Sequence, residues 1–268
     1  MNVMRQTFPG QNESVWRWRF STLNSQVEEL SLPDLRGADV AQGEEWADVT
    51  VNGERQRIRF HDYPAIFNIP GLYEEIFYER LGCDSPRKVT HLLRDLLADH
   101  RVPMADVRVL DIGAGNGMVG DELRALGVQN VTGVDILPEA RDATFRDRPG
   151  VYDAYIVADL ANLGEDHERA IRARNPNCLT MVAAMGVQDI QTGTLIKGLD
   201  LIDAPGWAAF TVREDIMRQD HASGFAGLMD TLEQDGRLLT EVFWRYRHRY
   251  LATGEPVYYC AIIVRKLR

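Results

Sequence analysis

The segment that most constrains the fold runs from residue 107 to residue 126. Val107–Ile112 is an apolar run that holds one acid, Asp111, and it predicts a buried strand. Gly113-Ala114-Gly115-Asn116-Gly117 follows directly, and residues 116–126 have apolar side chains at helical spacing. Glycine permits a tight turn and lets a ligand approach the backbone, and a helix N-terminus presents unpaired amides to an anionic group. The segment therefore predicts a strand–turn–helix unit that binds a ligand.

The chain beyond this unit continues to alternate between strand and helix patterns. Such alternation implies a parallel sheet that helices cover on both faces. The last two strands are joined by Thr253-Gly254, which predicts an antiparallel hairpin. We therefore predict an α/β fold with a doubly wound, mostly parallel sheet of seven strands that ends in this hairpin. The predicted strands are 107–112, 131–134, 151–158, 179–184, 207–212, 238–253 and 255–266, and the predicted helices are 116–126, 138–146, 165–174, 189–199 and 215–235.

The first hundred residues have a less regular pattern, which predicts an N-terminal α+β extension. Asn52-Gly53 lies between alternating apolar positions, which is typical of a β-hairpin. We divide the chain into an extension over residues 1–100, which is a candidate lid, and a core over residues 101–268. Within the extension, the apolar spacing predicts helices over 16–30, 72–81 and 86–100 and a hairpin over 49–60.

Composition narrows the class of protein. With 40 acidic and 30 basic residues the net charge is −10, which disfavours a broad nucleic-acid surface. Arginines alternate with aromatic residues over 244–250, and this pattern fits either single-stranded nucleic acid or a strand with one wet face. No apolar run approaches the roughly 20 residues of a membrane helix. Three scattered cysteines form no disulfide framework and no signal-peptide pattern is present, so we expect a cytoplasmic protein.

The acid before the glycine turn separates two classes of ligand. Gly115–Gly120 matches the dinucleotide pattern GxGxxG by itself, which keeps a nicotinamide-dependent reductase as an alternative. However, Asp111 stands two residues before Gly113. A carboxylate at this point repels a pyrophosphate and attracts an ammonium group. The sequence therefore favours a ligand with an amino acid moiety.

Three motifs in order resemble those of the class I S-adenosylmethionine-dependent methyltransferases. Asp111–Gly117 looks like the first motif of that family, Gly133–Ile136 looks like the second, and Ile156–Leu160 looks like the third. The resemblance covers about residues 105–268, and the closing antiparallel hairpin is also typical of the family. It implies S-adenosyl-L-methionine as the cofactor and methyl transfer as the activity.

The resemblance also implies roles for individual residues. Asp135 would accept bonds from the ribose hydroxyls, Asp159 would bind the adenine amino group, and the backbone amide of Leu160 would donate to the adenine ring. Simpler interpretations of the acids stay open: Asp111 as a turn cap, Asp135 as a solvated loop acid, and Asp159 as a helix N-cap. The expected cofactor-binding residues are Asp111, Gly113, Ala114, Gly115, Asp135, Ile136, Asp159 and Leu160.

The methyl acceptor is less constrained. The fourth strand, residues 179–184, lacks the acidic-Pro-Pro-Tyr motif of the branch that methylates DNA amino groups. The best resemblance is to small-molecule methyltransferases and to the Williams–Beuren-region type. We expect transfer to an oxygen or nitrogen, or to a carbon, of a small metabolite. A non-catalytic cofactor-binding protein with a regulatory or interaction role is the alternative.

Candidate catalytic residues are two histidines. A methyl group on a sulfonium needs mainly orientation and desolvation, and a general base is required only when the acceptor keeps its proton. His221, which follows the fifth strand, and His61, beside Asp62, are the candidate bases, and a solvated surface histidine is the alternative for each. No pair of histidines or cysteines has metal-ligand spacing, so we expect no metal.

Four further residues are candidates for substrate contact. Met185 and Arg213 lie at the ends of the fourth and fifth strands, where the acceptor would meet the methyl group. Tyr63 and Tyr73 belong to an aromatic stretch over residues 60–80. We expect this stretch to cover the methyl-transfer site, and the alternatives are a homodimer interface or the core of the extension.

Overall fold

The computed structural model describes residues 25–35, 42–185 and 192–268. The chain divides into two compact units. The first holds the described residues up to Asp84 together with Arg247–Val257, and the second holds Ser85–Tyr246 and Tyr258–Arg268. This division differs from the sequence-based boundary at residue 100, because residues 85–99 group with the second unit and the tip of the last hairpin groups with the first.

The elements follow the predicted order. The strands are β1 Glu29–Ser31, β2 Trp46–Val51, β3 Glu54–Arg59, β4 Arg108–Ile112, β5 Asn130–Asp135, β6 Ala154–Val157, β7 Cys178–Met185, β8 Gly206–Arg213, β9 Leu238–Tyr250 and β10 Pro256–Lys266. The α-helices are α1 Tyr63–Asn68, α2 Leu72–Glu74, α3 Ser85–Asp99, α4 Met118–Ala125, α5 Pro138–Asp147, α6 Glu165–Arg172, α7 Thr192–Leu201 and α8 Phe225–Gln234.

The second unit contains a seven-stranded sheet in the order β6-β5-β4-β7-β8-β10-β9. Neighbours from β6 to β8 pair in parallel, and β10 pairs antiparallel with β8. The predicted doubly wound sheet with a closing hairpin is therefore confirmed. A continuous apolar core includes Leu110, Leu179 and Phe210 from the strands and Leu195 and Leu199 from α7.

The register of the parallel strands positions the candidate site. Asp111 of β4 pairs with Gly133 of β5 and with Thr180 of β7, and Gly133 in turn pairs with Tyr155 of β6. Register partners in a sheet direct their side chains to the same face. Because the strands are parallel, their carboxyl ends also meet at one edge, where ligands bind in open α/β sheets. One row of four residues therefore crosses the sheet beneath this edge.

The first unit contains the antiparallel sheet β1-β2-β3. Asn52 and Gly53 join β2 to β3 with φ angles of 52° and 77°, which confirms the predicted hairpin. The predicted helix over 16–30 falls partly outside the described residues, and it is wrong at its end, because Leu30 pairs with Val49 in β1. The predicted helix over 72–81 begins as α2 and continues as a π-helix to Arg80.

Two helical predictions in the second unit need correction. The predicted helix over 215–235 is interrupted: a 3-10 turn covers Glu214–Met217, and α8 begins only after Gly224, whose φ is 65°. The helix predicted over 189–199 is observed as Thr192–Leu201, and residues 189–191 lie outside the described part of the chain. Within residues 25–35, 42–185 and 192–268, no helix combines the length and the apolar character that a membrane span requires.

Candidate functional site

The glycine turn lies between β4 and α4 and has a left-handed backbone. Gly113, Gly115 and Gly117 have φ angles of 68°, 53° and 90°, a region that side-chain-bearing residues rarely adopt. The amides of Gly113 and Ala114 donate to the carbonyl of Val134 at 2.9 and 3.1 Å, which fastens the turn to β5. The strand–turn–helix unit predicted from the sequence is thus present, and its conformation requires glycine.

Asp135 ends β5 and holds the turn through its side chain. The amide of Gly115 donates to its Oδ2 atom at 2.9 Å, and the amide of Leu137 donates to its Oδ1 atom at 3.0 Å. Burial raises the pKa of Asp135, although the hydrogen bonds from Leu137, Gly115 and Ile136 oppose this effect. An ionised carboxylate has about four lone-pair sites, so acceptor capacity remains for a ligand. The next side chain, Ile136, is 61 % exposed and offers an apolar surface at the same strand end.

Asp111 is buried beneath the turn, with a 1 % exposed side chain. Thr180 Oγ1 donates to its Oδ1 atom and Tyr152 Oη donates to its Oδ2 atom, each at 2.6 Å. Burial raises the pKa of Asp111 to about 7, against the lowering effect of the two hydroxyls, and the charge of Asp135 raises it further. The acid therefore carries a titratable negative charge directly below the glycine turn.

Two glycines make the approach of Tyr152 to Asp111 sterically feasible. A Cβ atom at Gly120 of α4 would lie 2.8 Å from Tyr152 Cζ, and a Cβ atom at Gly133 of β5 would lie 3.2 Å from the same ring. The phenol ring of Tyr152 thus occupies the space that a side chain larger than that of glycine would fill at position 120 or 133. Tyr152 and Thr180 were not predicted as site residues from the sequence. A glycine inside a helix and another inside a strand were the available signals, because both mark close packing.

The carbonyl of Gly115, which belongs to the next peptide of the turn, is also held by side chains. Tyr155 Oη donates to this oxygen at 2.7 Å and Thr144 Oγ1 donates to it at 2.9 Å. Burial raises the pKa of Tyr155, so its phenol stays protonated and able to donate. Together with the bond from Gly115 to Asp135, these contacts fix the central peptides of the turn before any ligand arrives. Tyr155 and Thr144 were likewise not predicted as site residues from the sequence.

Asp159 follows β6 and caps a 3-10 turn over Leu160–Asn162. Its carboxylate accepts from the amide of Ala161 at 2.9 Å and from Asn162 Nδ2 at 2.7 Å. Leu160 is buried in the main apolar core. The observed bonds of Asp159 are thus those of a helix cap, which was the alternative interpretation of this acid. The expected adenine contacts of Asp159 and Leu160 stay predictions.

The ends of β7 and β8 hold two of the candidate substrate residues. Met185 is 2 % exposed, and the strand before it is irregular: Ala183 has a φ of 58° and its amide donates to Thr211 Oγ1 at 2.8 Å. Arg213 forms a two-pronged ion pair with Asp215, which lowers the pKa of that acid. The guanidinium charge is therefore balanced locally, and contact of either residue with a substrate stays a prediction.

His221 lies on the loop after β8. Its Nδ1 atom accepts from the amide of Ser223 at 3.2 Å, and its Nε2 atom lies 3.9 Å from Asp215 Oδ2. A neutral imidazole whose Nδ1 accepts a bond carries its proton on Nε2. Nδ1 also lies 2.9 Å from Ser223 Oγ, a contact in which either atom can donate, so the tautomer decides which ring nitrogen holds the lone pair that could accept a proton. The catalytic role of His221 stays a prediction.

The candidates of the extension lie in an aromatic cluster of the first unit. Tyr63 stacks on Phe67 with ring centroids 5.9 Å apart, and Tyr73 packs against Phe67 at 5.3 Å and Phe77 at 4.8 Å. His61 packs edge-on against Tyr63. These contacts match the alternative in which the aromatics are a core of the extension, and the expected lid, dimer and base roles stay predictions.

Among the described residues, no group of three or more histidine, cysteine, aspartate or glutamate side chains has an arrangement that could hold a metal ion.

Comparison with known proteins supports the fold. No protein-family model matches the chain. The chain is 39% identical over 59 residues to ubiquinone biosynthesis O-methyltransferases of Xanthomonas oryzae pv. oryzae and Xanthomonas campestris pv. campestris. This match covers 21% of the chain and 24% of each relative, so the chain spans about a quarter of the length of these curated relatives.

A solved structure is similar over a larger part of the chain. It is the N-methyltransferase NodS from Bradyrhizobium japonicum in complex with S-adenosyl-L-homocysteine. The similarity has a TM-score of 0.53 at 14% identity and covers 78% of this chain and 98% of the other. At this identity the likeness establishes a shared fold, which agrees with the strand order described above.

Proposed function

We propose that this chain is an S-adenosylmethionine-dependent methyltransferase that modifies a small molecule on oxygen or nitrogen, or on carbon. The observation that carries the proposal is the unit formed by Asp111, the Gly113–Gly117 turn and Asp135. In it, a buried acid, a left-handed glycine turn and a second acid share one edge of a parallel sheet. The fold shared with a methyltransferase and the 59-residue match to O-methyltransferases support the same activity.

The residues at this edge fit the chemical groups of the cofactor. The charge of Asp111 beneath the turn suits an ammonium group, and the remaining lone pairs of Asp135 suit ribose hydroxyls. The exposed side chain of Ile136 offers an apolar surface to a planar base. Asp159 and Leu160 would complete the adenine contacts, with the Asp159 side chain accepting in addition to its capping bonds.

The same charges count against a dinucleotide. Burial of a pyrophosphate next to the carboxylates of Asp111 and Asp135 would place like charges together in a low-dielectric site. The hydrogen-bond donors to both acids are backbone amides and hydroxyls, which carry no net positive charge to compensate a pyrophosphate. A nicotinamide-dependent reductase is thus the weaker proposal.

S-adenosylmethionine, when bound, supplies a methyl group on a positively charged sulfur. The chain would contribute binding, orientation and exclusion of water, which are sufficient for much of the rate of such a transfer. Met185 and Arg213, at the ends of β7 and β8, would face the acceptor. A neutral amine or an ionised acceptor requires no base, whereas a neutral hydroxyl would require one, and His221 and His61 are the proposed candidates.

The small-molecule and Williams–Beuren-like character rests on the sequence resemblance, and the net charge of −10 agrees with a partner other than nucleic acid. Homodimer formation and a cytoplasmic location are likewise proposed from the sequence.

Labelled methyl transfer tests the proposed function. The protein is incubated with S-adenosylmethionine that carries a labelled methyl group and with a cell extract separated into small molecules, protein and nucleic acid. We expect the label in the small-molecule fraction. Label only in protein or nucleic acid would contradict the substrate class, and tight cofactor binding without any transfer would favour the regulatory alternative.

A further inference from the structure

We propose that Tyr152 and Thr180 are positioning residues for Asp111. Their hydroxyls keep the Asp111 carboxylate ionised and fixed in orientation, and they thereby set the pH range over which the site binds its ligand. The inference rests on the proposed function, because it takes the ammonium group of an S-adenosyl compound as the charge that Asp111 attracts.

The geometry of the three side chains carries the inference. Each carboxylate oxygen of Asp111 accepts one hydroxyl at 2.6 Å, so both oxygens are held in place. Thr180 is completely buried and is the register partner of Asp111 on β7. Tyr152 reaches the acid from the other side, through the space left by Gly120 and Gly133. Hydroxyl-to-carboxylate bonds of this length are strong, charge-assisted bonds.

These two hydrogen bonds stabilise the negative charge of Asp111 against burial and a neighbouring acid, which both disfavour it. Among the described residues, the titratable groups that face it are Asp135, Tyr152, Tyr155 and Cys178, and the raised pKa values of the two tyrosines and the cysteine keep them uncharged at neutral pH. Burial and Asp135 both raise the pKa of Asp111, and the hydroxyls of Thr180 and Tyr152 are the groups that lower it. Loss of one hydroxyl therefore moves the ionisation of the acid to higher pH.

The experiment measures binding of S-adenosylhomocysteine by calorimetry between pH 6 and pH 9. Tyr152→Phe and Thr180→Val each remove one hydroxyl and keep the buried shape, and circular dichroism and thermal unfolding verify the fold of each variant. Tyr155→Phe is the matched control, since its hydroxyl donates to the Gly115 carbonyl and not to a carboxylate.

For the wild type we expect affinity to decrease as the pH falls through about 7. Loss of a charge-assisted bond moves the midpoint of an acid upward by about one to two pH units. Tyr152→Phe and Thr180→Val should therefore bind more weakly than wild type by about fivefold or more at pH 7, and within about twofold of it at pH 9. Tyr155→Phe should weaken binding by the same factor at every pH.

The outcomes separate this inference from the proposed function. If the folded wild type fails to bind S-adenosylhomocysteine at any pH, the proposed function is overturned and the inference with it. If the wild type binds and both hydroxyl variants lose affinity equally at every pH, or lose none, the inference alone is overturned. If one variant does not fold, the other decides in the same way.

Discussion

The amide of Gly115 donates to the carboxylate of Asp135 at 2.9 Å, across 20 residues of sequence. This bond joins the turn after β4 to the end of β5, which are the two proposed contact points for the cofactor. Tyr155 and Thr144 bind the carbonyl of the same glycine, so its two flanking peptides are fixed by three side chains. The site is thus organised before ligand binding, and such preorganisation reduces the entropic cost of binding.

Replacement of Asp135 by alanine should weaken binding of S-adenosylhomocysteine. The variant loses the proposed acceptor for ribose hydroxyls and also releases the amide of Gly115. A hydrogen bond to a charged group contributes about 1.5–3 kcal/mol, so we expect an affinity loss of at least about tenfold by calorimetry. Asp142→Ala is the control, because Asp142 is on the exposed side of α5 and pairs with its neighbour Arg141. Equal affinities for both variants would contradict the role of Asp135.

The buried charge of Asp111 should make stability depend on pH. Its pKa is raised from 3.8 to about 7 in the folded protein, so the folded state binds the proton more tightly than the unfolded state does. The stability from this group is therefore fully present below pH 4 and is lost as the pH rises to about 7, by roughly 4 kcal/mol.

Asp111→Asn removes this titration and tests the sign of the effect. We expect the Tm of the variant, relative to wild type, to rise between pH 5 and pH 8, because only the wild type must bury a carboxylate charge at the higher pH. Thermal unfolding of the two proteins at several pH values measures the difference. A constant difference in Tm across this range would show that Asp111 titrates at its ordinary value.

Gly120→Ala should destabilise the second unit. The added Cβ would lie 2.8 Å from the Tyr152 ring, and such overpacking costs about 1–3 kcal/mol. Gly227→Ala in α8 is the matched control, since nothing lies within 4 Å of its Cβ position and alanine favours a helix. Chemical denaturation should show a loss of stability for the first variant and a small gain for the second. A Gly120→Ala variant as stable as wild type would mean that Tyr152 does not pack against α4.

The first unit should depend on one buried ion pair. Arg249 Nη2 lies 2.5 Å from Glu45 Oε2, both side chains are at most 2 % exposed, and the amide of Ala252 donates to the same carboxylate. Arg249→Met leaves Glu45 buried without its cation and should destabilise the protein by about 3–5 kcal/mol. Arg57→Met removes the exposed pair with Asp48 and should leave the Tm nearly unchanged. Similar Tm values for the two variants would contradict the importance of the buried pair.

The sheet was predictable because the pattern of each strand and turn lies within a short stretch of sequence. The apolar runs of β4, β5 and β7 and the glycine turn after β4 each occupy a few consecutive residues, and their order implies the parallel topology. The hairpin at Asn52-Gly53 was predictable for the same reason, since its turn chemistry lies in two residues. In contrast, the apolar spacing that leads to Leu30 is helical, yet Leu30 lies in strand β1. Its backbone pairs there with Val49 of β2, and a pairing partner elsewhere in the chain cannot be read from the local pattern.

The supporting groups of the site could not be predicted in this way. Tyr152 is separated from Asp111 by 41 residues and Thr180 is separated from it by 69, and only the strand order brings them together. Asp159 illustrates the opposite case, because its observed bonds run to residues two and three positions away and follow ordinary capping rules. A sequence motif therefore identified the acids of the turn, while the hydroxyls that hold them required the fold.

The Asp111–Gly115–Asp135 unit is proposed to bind an S-adenosyl compound. Calorimetric titration of the wild-type protein at pH 8 with S-adenosylhomocysteine and, separately, with NADH tests it most directly. We predict saturable one-to-one binding of S-adenosylhomocysteine and no heat of binding for NADH. Binding of NADH without binding of S-adenosylhomocysteine would contradict the account.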